Sequence, residues 1–264
     1  MRVTDTPLRV AGRTYQSRLF LGTGKYVDLD TMDAALAASG TECVTVAVRR
    51  VDLCASGEES LLERLAPYEI LPNTAGCFDA DSAVRTAQLA REALDTDLIK
   101  LEVLTDPETL RPERSATLDA ARRLVADGFQ VLVYTLDDPD TALELDSLGV
   151  ASVMPLGSSI GSGRGILKPE AIQEIVEGCQ APVIVDAGVG TASDVSVAFE
   201  LGAEGVLLNT GVACADDPVR MAAAVRHAAL AGRDAFLAGR IPRAGTASAT
   251  SPTTGVVGSG ASSA

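Results

Sequence analysis

The chain's 264 residues, 47% of them apolar, suffice for one large domain and fall short of two. A balance of 22 Lys and Arg against 36 Asp and Glu leaves a net charge of −14, which excludes general nucleic-acid binding, since that needs a basic footprint. One His, His227, excludes multi-His metal sites, while three lysines, Lys25, Lys100 and Lys168, leave amine chemistry open.

In chain order, the first sixteen residues hold no apolar stretch of the kind that marks a secretory signal. No later run approaches the ~18 apolar residues of a membrane span, so neither export nor membrane insertion is expected. The five cysteines, Cys43, Cys54, Cys77, Cys179 and Cys214, form no C-x-x-C pair and read as reduced thiols of a cytoplasmic protein. The stretch from Leu8 to Tyr15 around Gly12 predicts a hairpin that plugs the bottom of a barrel. Strands are then expected at 19–22, 43–48, 69–72, 98–104, 130–135, 151–155, 182–186 and 205–209. Ala-rich helical patterns follow them at 29–38, 58–66, 81–94, 112–127, 139–148, 169–177, 192–201 and 217–231. Asp79 or Asp81 can cap the third helix, and Asp138 followed by Pro139 starts the fifth. Gly40, Gly128, Gly149, Gly178 and Gly202 stand where a left-handed residue ends a helix.

Eight β-then-α units with continuous apolar strands predict a parallel sheet covered by helices and closed into a (β/α)8 barrel over residues 1–243. A doubly wound open sheet is the alternative. Residues 244–264, uncharged and rich in Ala, Ser, Thr and Gly, predict a mobile tail.

Barrels of this kind carry their chemistry at the C-terminal ends of the strands. On the fourth predicted strand, alternation puts Lys100 and Glu102 on one face with Leu98 and Leu104, and turns Ile99, Leu101 and Val103 toward the helices. Burial in the barrel mouth is expected to lower the Lys100 pKa, and a neutral amine can form an imine with a carbonyl. Glu102 can then move protons at the neighbouring carbon. Asp186 closes the seventh apolar strand, and the Ala187-Gly188 turn after it lets backbone N–H groups approach a ligand. The Asn209-Thr210 pair closes the eighth strand, and loops seven and eight are the usual phosphate site of such barrels. A glycine- and serine-rich loop follows the sixth strand, with Arg164 available for charge. Arg49 and Arg50 end the second strand, where they can face an anion or a protein partner. Cys77 follows the third strand and reads as a core or loop thiol that can line the site. His227 reads as structural, on the last helix.

Taken together, Ala47-Val48-Arg49-Arg50-Val51, Pro72-Asn73-Thr74-Ala75-Gly76-Cys77, Ile99-Lys100-Leu101-Glu102-Val103, Met154-Pro155-Leu156-Gly157-Ser158 with Ile160-Gly161-Ser162-Gly163, Val183-Ile184-Val185-Asp186-Ala187-Gly188 and Val206-Leu207-Leu208-Asn209-Thr210 resemble the blocks of the bacterial thiazole synthase family of thiamin biosynthesis. The resemblance runs in order over roughly residues 8–243. It implies a (β/α)8 barrel that joins 1-deoxy-D-xylulose 5-phosphate, dehydroglycine and sulfur into a thiazole phosphate carboxylate. The sulfur would arrive as a C-terminal thiocarboxylate on a small ubiquitin-like carrier protein, and a second enzyme would supply dehydroglycine. Lys100 matches the family's Schiff-base lysine, and Glu102 and Asp186 match its acid/base carboxylates. Gly161, Ala187, Gly188, Asn209 and Thr210 match its substrate-binding positions. The resemblance implies a homo-oligomer and calls for neither a metal nor an organic cofactor. Two departures are visible: Val133-Tyr134-Thr135 stands where the family often has a Cys, and Arg243-Ala244-Gly245-Thr246 replaces the family's usual tail. From the residues alone, a Schiff-base aldolase acting on a sugar phosphate, or a non-catalytic scaffold for the carrier, stays open.

Overall fold

A computed structural model describes residues 5–50, 60–248, 250 and 251. The chain opens with an antiparallel pair, β1 (Leu8–Val10) and β2 (Arg13–Tyr15), turned through Ala11 and Gly12 with positive φ of 54° and 71°. Such a two-residue left-handed turn matches the twist of the flanking strands. Leu8, Val10 and Tyr15 pack onto Phe20, Cys43, Leu71, Leu98, Leu132, Met154, Ile184 and Leu207, which are the inward residues of all eight later strands. The hairpin therefore stops the bottom of the barrel, as the sequence pattern predicts.

The barrel strands are β3 (Leu19–Gly22), β4 (Cys43–Ala47), β5 (Glu69–Asn73), β6 (Leu98–Leu101), β7 (Gln130–Thr135), β8 (Ser152–Pro155), β9 (Ile184–Asp186) and β10 (Gly205–Leu208). Every pairing among them is parallel, in ring order, with β10 beside β3. Closure between β8 and β9 rests on two bridges, Val153 with Val183 and Leu156 with Asp186. The outer layer comprises α1 (Leu29–Ser39), α2 (Leu61–Arg64), α3 (Ala80–Leu94), α4 (Arg114–Ala126), α5 (Pro139–Ser147), α6 (Pro169–Gly178), α7 (Ala192–Glu200), α8 (Thr210–Ala213) and α9 (Pro218–Ala238). Outward strand residues such as Ile99, Leu101, Val131 and Val153 pack against Ala83, Ala87, Leu118 and Leu124 of these helices. The scarcity of aromatics is met by this Ala-lined contact, which lets helices lie close on the sheet.

Helix starts follow short polar caps: Asp28, Asp79 and Asp138 each accept a hydrogen bond from a backbone N–H three residues on. Asp79, not Asp81, is the cap of α3. Gly40, Gly128, Gly149 and Gly202 have positive φ, as the pattern requires, but Gly178 does not. It is the last helical residue of α6, and its lack of a side chain answers a different need, because a Cβ there would lie 2.9 Å from Leu143 Cδ2. The second predicted helix, 58–66, shrinks to Leu61–Arg64 within the described residues, with 58 and 59 outside them. A 3-10 turn, Val48–Arg50, and α8 are elements the pattern did not mark. Of the expected tail, residues 244–248, 250 and 251 are exposed and carry no helix or strand, and the rest lies outside the described residues. No helix among the described residues is long and apolar enough to cross a membrane.

The tightest helix contact is between α7 and α9. A Cβ on Gly232 would sit 2.7 Å from the Ser196 carbonyl oxygen. Propensity alone favours Ala over Gly in a helix by about 1 kcal/mol, but a backbone clash in a packed interface costs about 1–3 kcal/mol. Gly232→Ala is therefore expected to lower the urea unfolding midpoint at unchanged m-value; a raised midpoint would show that the helices can separate freely.

Candidate active site

Lys100 sits in β6, paired in register with Asn73 of β5 and Leu132 of β7. Strand alternation carries its side chain, and that of Glu102 beyond the strand end, into the barrel mouth. The end of β6 is locked by Thr74: its hydroxyl donates to the Glu102 carbonyl oxygen at 2.8 Å and accepts from the Glu102 N–H at 2.8 Å. Asp186 ends β9 across the barrel. There the Lys100 ammonium nitrogen lies 2.6 Å from Asp186 Oδ2 and 3.3 Å from Glu102 Oε1. All three residues are buried, at 5%, 6% and 3% exposure for Lys100, Glu102 and Asp186.

The electrostatics reverse one expectation. Burial by itself would lower the Lys100 pKa, but the charges of Asp186 and Glu102 outweigh it and hold the ammonium above its ordinary value. Burial also acts on Asp186, against the pull of Lys100, and raises its carboxyl to about 6. The resting lysine is thus protonated, with an adjacent carboxylate able to take its proton. Tyr134 of β7 lies beside them, its ring centroid 5.8 Å from Lys100 Nζ. Burial, with Asp186 and Glu102 adding, holds its phenol above the ordinary range, and its hydroxyl has no hydrogen-bond partner among the described residues.

Above this floor opens a cavity of about 630 Å³. Its lining contains the eight residues that the resemblance matches to catalytic and substrate-binding positions: Lys100, Glu102, Asp186, Gly161, Ala187, Gly188, Asn209 and Thr210. The turn after β9 has consecutive left-handed residues, Ala187 at φ 70° and Gly188 at φ 79°. This turn is stitched to the loop after β8: Gly157 N–H donates to the Ala187 carbonyl at 3.3 Å, and Gly165 N–H donates to the Gly188 carbonyl at 2.8 Å. A Cβ on Gly188 would meet Ser158 Oγ at 2.1 Å, so only glycine fits there. Asn209 packs against Gly22 of β3, where a Cβ would lie 2.6 Å from Asn209 Cβ, and its Oδ1 is buried without a partner among the described residues.

Other candidates fall outside the site. Cys77 is buried among the outward residues and its thiol touches Thr86 Oγ1 at 3.5 Å. His227 is exposed on α9, and Lys168 pairs with Asp137 at 3.1 Å. Arg49 donates to the Gly76 carbonyl at 2.9 Å. Sequence reasoning missed Lys25, Asn73 and Thr74. Lys25 and Asn73 line the cavity, and Thr74 holds the β6 end. Asn73 and Thr74 directly follow an apolar strand, the one signal available for them.

Residues 9–252 match the family described as Thiazole biosynthesis protein ThiG. The thiazole synthase of Acinetobacter baumannii (strain AYE) is 58% identical over 255 residues, covering 95% of this chain and 98% of its own. That of Pseudomonas aeruginosa (strain LESB58) is 57% identical over 258 residues, covering 96% and 97%. Among solved structures, the BexX/CysO complex of Amycolatopsis orientalis matches with a TM-score of 0.81 at 33% identity, covering 92% of this chain and 100% of that one.

The Asp186 carboxyl is expected to titrate near pH 6 when followed by isotope-edited infrared spectroscopy, and the step should vanish in Asp186→Asn. Because its folded pKa lies above its unfolded value of 3.8, Asp186 stabilises the fold most below about pH 4 and loses that contribution as pH rises through about 6. A midpoint at or below 4 would mean that the Lys100 charge, not burial, governs this group.

Proposed function

The chain belongs to the ThiG family of thiazole biosynthesis and acts in making the thiazole of thiamin, and on that premise we propose that Lys100 forms a Schiff base with 1-deoxy-D-xylulose 5-phosphate. The observation that carries this reading is the Lys100 ammonium held between Asp186 and Glu102 at the floor of a cavity at the strand ends. Lys100 passes its proton to Asp186, and the neutral amine attacks the ketose carbonyl. Loss of water leaves a protonated imine. Its positive charge acidifies the neighbouring C–H, and Glu102 or Asp186 takes that proton so that the carbonyl moves along the sugar. The thiocarboxylate sulfur of a small carrier protein adds to the migrated carbonyl, the carrier's acyl group passes from that sulfur to the new hydroxyl oxygen, and the carrier leaves as its carboxylate with that oxygen. The sulfur kept on the sugar then adds to the imine carbon of dehydroglycine, supplied by a second enzyme, and the nitrogen of that imine displaces the Lys100 amine as the ring closes. Gly161, Ala187, Gly188, Asn209 and Thr210 bind the substrate around this floor.

Two features support a protein-borne sulfur donor. A second groove, floored by Gly163, Gly190 and Gly211, adjoins the cavity and shares Gly161, Val189 and Thr210 with it. The missing side chains at these glycines leave backbone-lined room for an extended chain terminus. A similar barrel, in addition, is found in the BexX/CysO complex. The same reading makes the protein a cytoplasmic homo-oligomer of transferase chemistry, and the exposed apolar side chains Leu89, Val197 and Leu230 on the outer helices leave surface for a like copy. Family membership displaces the aldolase alternative.

Borohydride reduction in the presence of the ketose phosphate alone should add one reduced-ketose mass at Lys100, located by peptide mass spectrometry. No adduct, or one at Lys25 or Lys168, would sink the assignment. Glu102→Gln should still yield adduct yet lose turnover by about 100-fold or more, the scale of positioned acid/base catalysis. Asp186→Asn, which removes the acceptor of the Lys100 proton, should lose turnover to the same extent and slow adduct formation as well. Wild-type turnover in both would remove them from the proton transfers.

A further inference from the structure

Resting on the Schiff-base reading above, we infer that the Lys25 ammonium is the cation that grips the 5-phosphate and makes the enzyme require a phosphorylated ketose. The argument starts from charge. Within the described residues lining the cavity, the cations are Lys25 and Lys100. Lys100 stands between two carboxylates, so the floor has no positive charge to spare for a phosphate that carries about −1.5 to −2 near pH 7. Lys168, the third lysine, is paired with Asp137. Lys25 has no ion-pair partner among the described residues, in a chain of net charge −14.

The position of Lys25 agrees. It ends the loop Thr23-Gly24-Lys25 that leaves β3, and that loop is fastened on both sides. Thr23 Oγ1 donates to the Thr45 carbonyl at 2.9 Å. Gly22 and Gly24 lie against the Asn209 side chain. Lys25 itself takes a left-handed backbone, φ 70°, which is unfavourable for a non-glycine residue and persists only where the surroundings enforce it. This conformation delivers the ammonium to the rim: a Cβ built on Gly161 would lie 3.9 Å from Lys25 Nζ and 3.9 Å from Thr210 Oγ1. An ammonium and a hydroxyl thus flank the Gly161 backbone, on a glycine whose missing side chain leaves room for the anion. Lysine suits the task as a compact point charge on a flexible stem.

The carrier's terminal thiocarboxylate is an anion of similar chemistry, so the test omits the carrier. Full-length protein is reduced with borohydride over a range of 1-deoxy-D-xylulose 5-phosphate or of unphosphorylated 1-deoxy-D-xylulose, and Lys100 adduct is counted by mass. Lys25→Asn removes the charge while favouring the same left-handed backbone. It should raise the half-saturating concentration of the phosphorylated ketose by about tenfold or more, the scale of one lost charge-assisted contact. The value for the unphosphorylated ketose and the maximal adduct should stay within about twofold, and Lys25→Arg should recover most of the loss. An equal shift for both sugars, or none for the phosphorylated one, overturns the inference. Calorimetric binding of the ketose phosphate reads the same contact whether or not an imine forms. If wild type forms no Lys100 adduct, the Schiff-base reading fails, and Lys25 is then decided by whether Lys25→Asn weakens the calorimetric affinity.

Discussion

A buried ammonium held between two buried carboxylates is the constraint around which this barrel is arranged. Three charges removed from water are tolerated only when they pair closely, and removing the ammonium leaves two like charges facing each other in a low-dielectric setting. Lys100, Glu102 and Asp186 meet this condition because β6 and β9 deliver them from opposite sides of the barrel to one level. Below that level the interior is apolar, closed by the hairpin and by Phe20, Leu98, Leu132, Met154 and Ile184. The polar layer therefore sits on an apolar floor, which strengthens each charge–charge interaction.

Holding Asp186 in place depends on a seam that the sheet ladder closes only lightly. Asp186 lies at one of only two described bridges between β8 and β9, and the rest of that seam is carried by loops. Hydrogen bonds from Gly157 and Gly165 to the carbonyls of Ala187 and Gly188 do the work that a longer ladder does elsewhere. They require backbone-to-backbone approach, which explains a glycine at 188 and the left-handed turn at 187 better than any ligand does. On the opposite wall, Thr74 uses one hydroxyl to satisfy both backbone groups of Glu102. The site is thus anchored by backbone contacts on both sides, leaving its side chains for chemistry.

Most of the barrel was legible because parallel strands are covered on both faces and read as apolar runs, as in Val131–Val133 or Val183–Val185. Period-two alternation sufficed to put Lys100 and Glu102 inward, and the cluster of Ile99, Leu101 and Val103 against helices confirms the phase. What failed were quantities set by tertiary neighbours. The Lys100 pKa direction depends on Asp186, remote in sequence, so burial was visible and the compensating charge was not. Gly178 looked like a helix stop, but its smallness serves Leu143 of the neighbouring helix. Lys25 looked like a loop residue because nothing in a linear pattern reports a left-handed φ on a lysine. Cys77 follows a strand end, yet its chain turns outward to α3.

On the proposed Schiff-base reading, the charge arrangement would let one cavity hold an amine nucleophile and an anionic substrate together. A lone lysine at the floor would draw the phosphate onto itself and bury the carbonyl in the wrong place. With Asp186 and Glu102 beside it, the floor offers no net attraction to an anion, and the uncompensated positive charge stands at the rim near Gly161 and Thr210. In the proposed function, a phosphorylated ketose entering this field would be turned phosphate-outward and carbonyl-inward before any covalent step. In the same reading, the proton given up by Lys100 would remain within the cluster, on a carboxyl raised to about 6 by burial, so that the nucleophile would form where the carbonyl arrives.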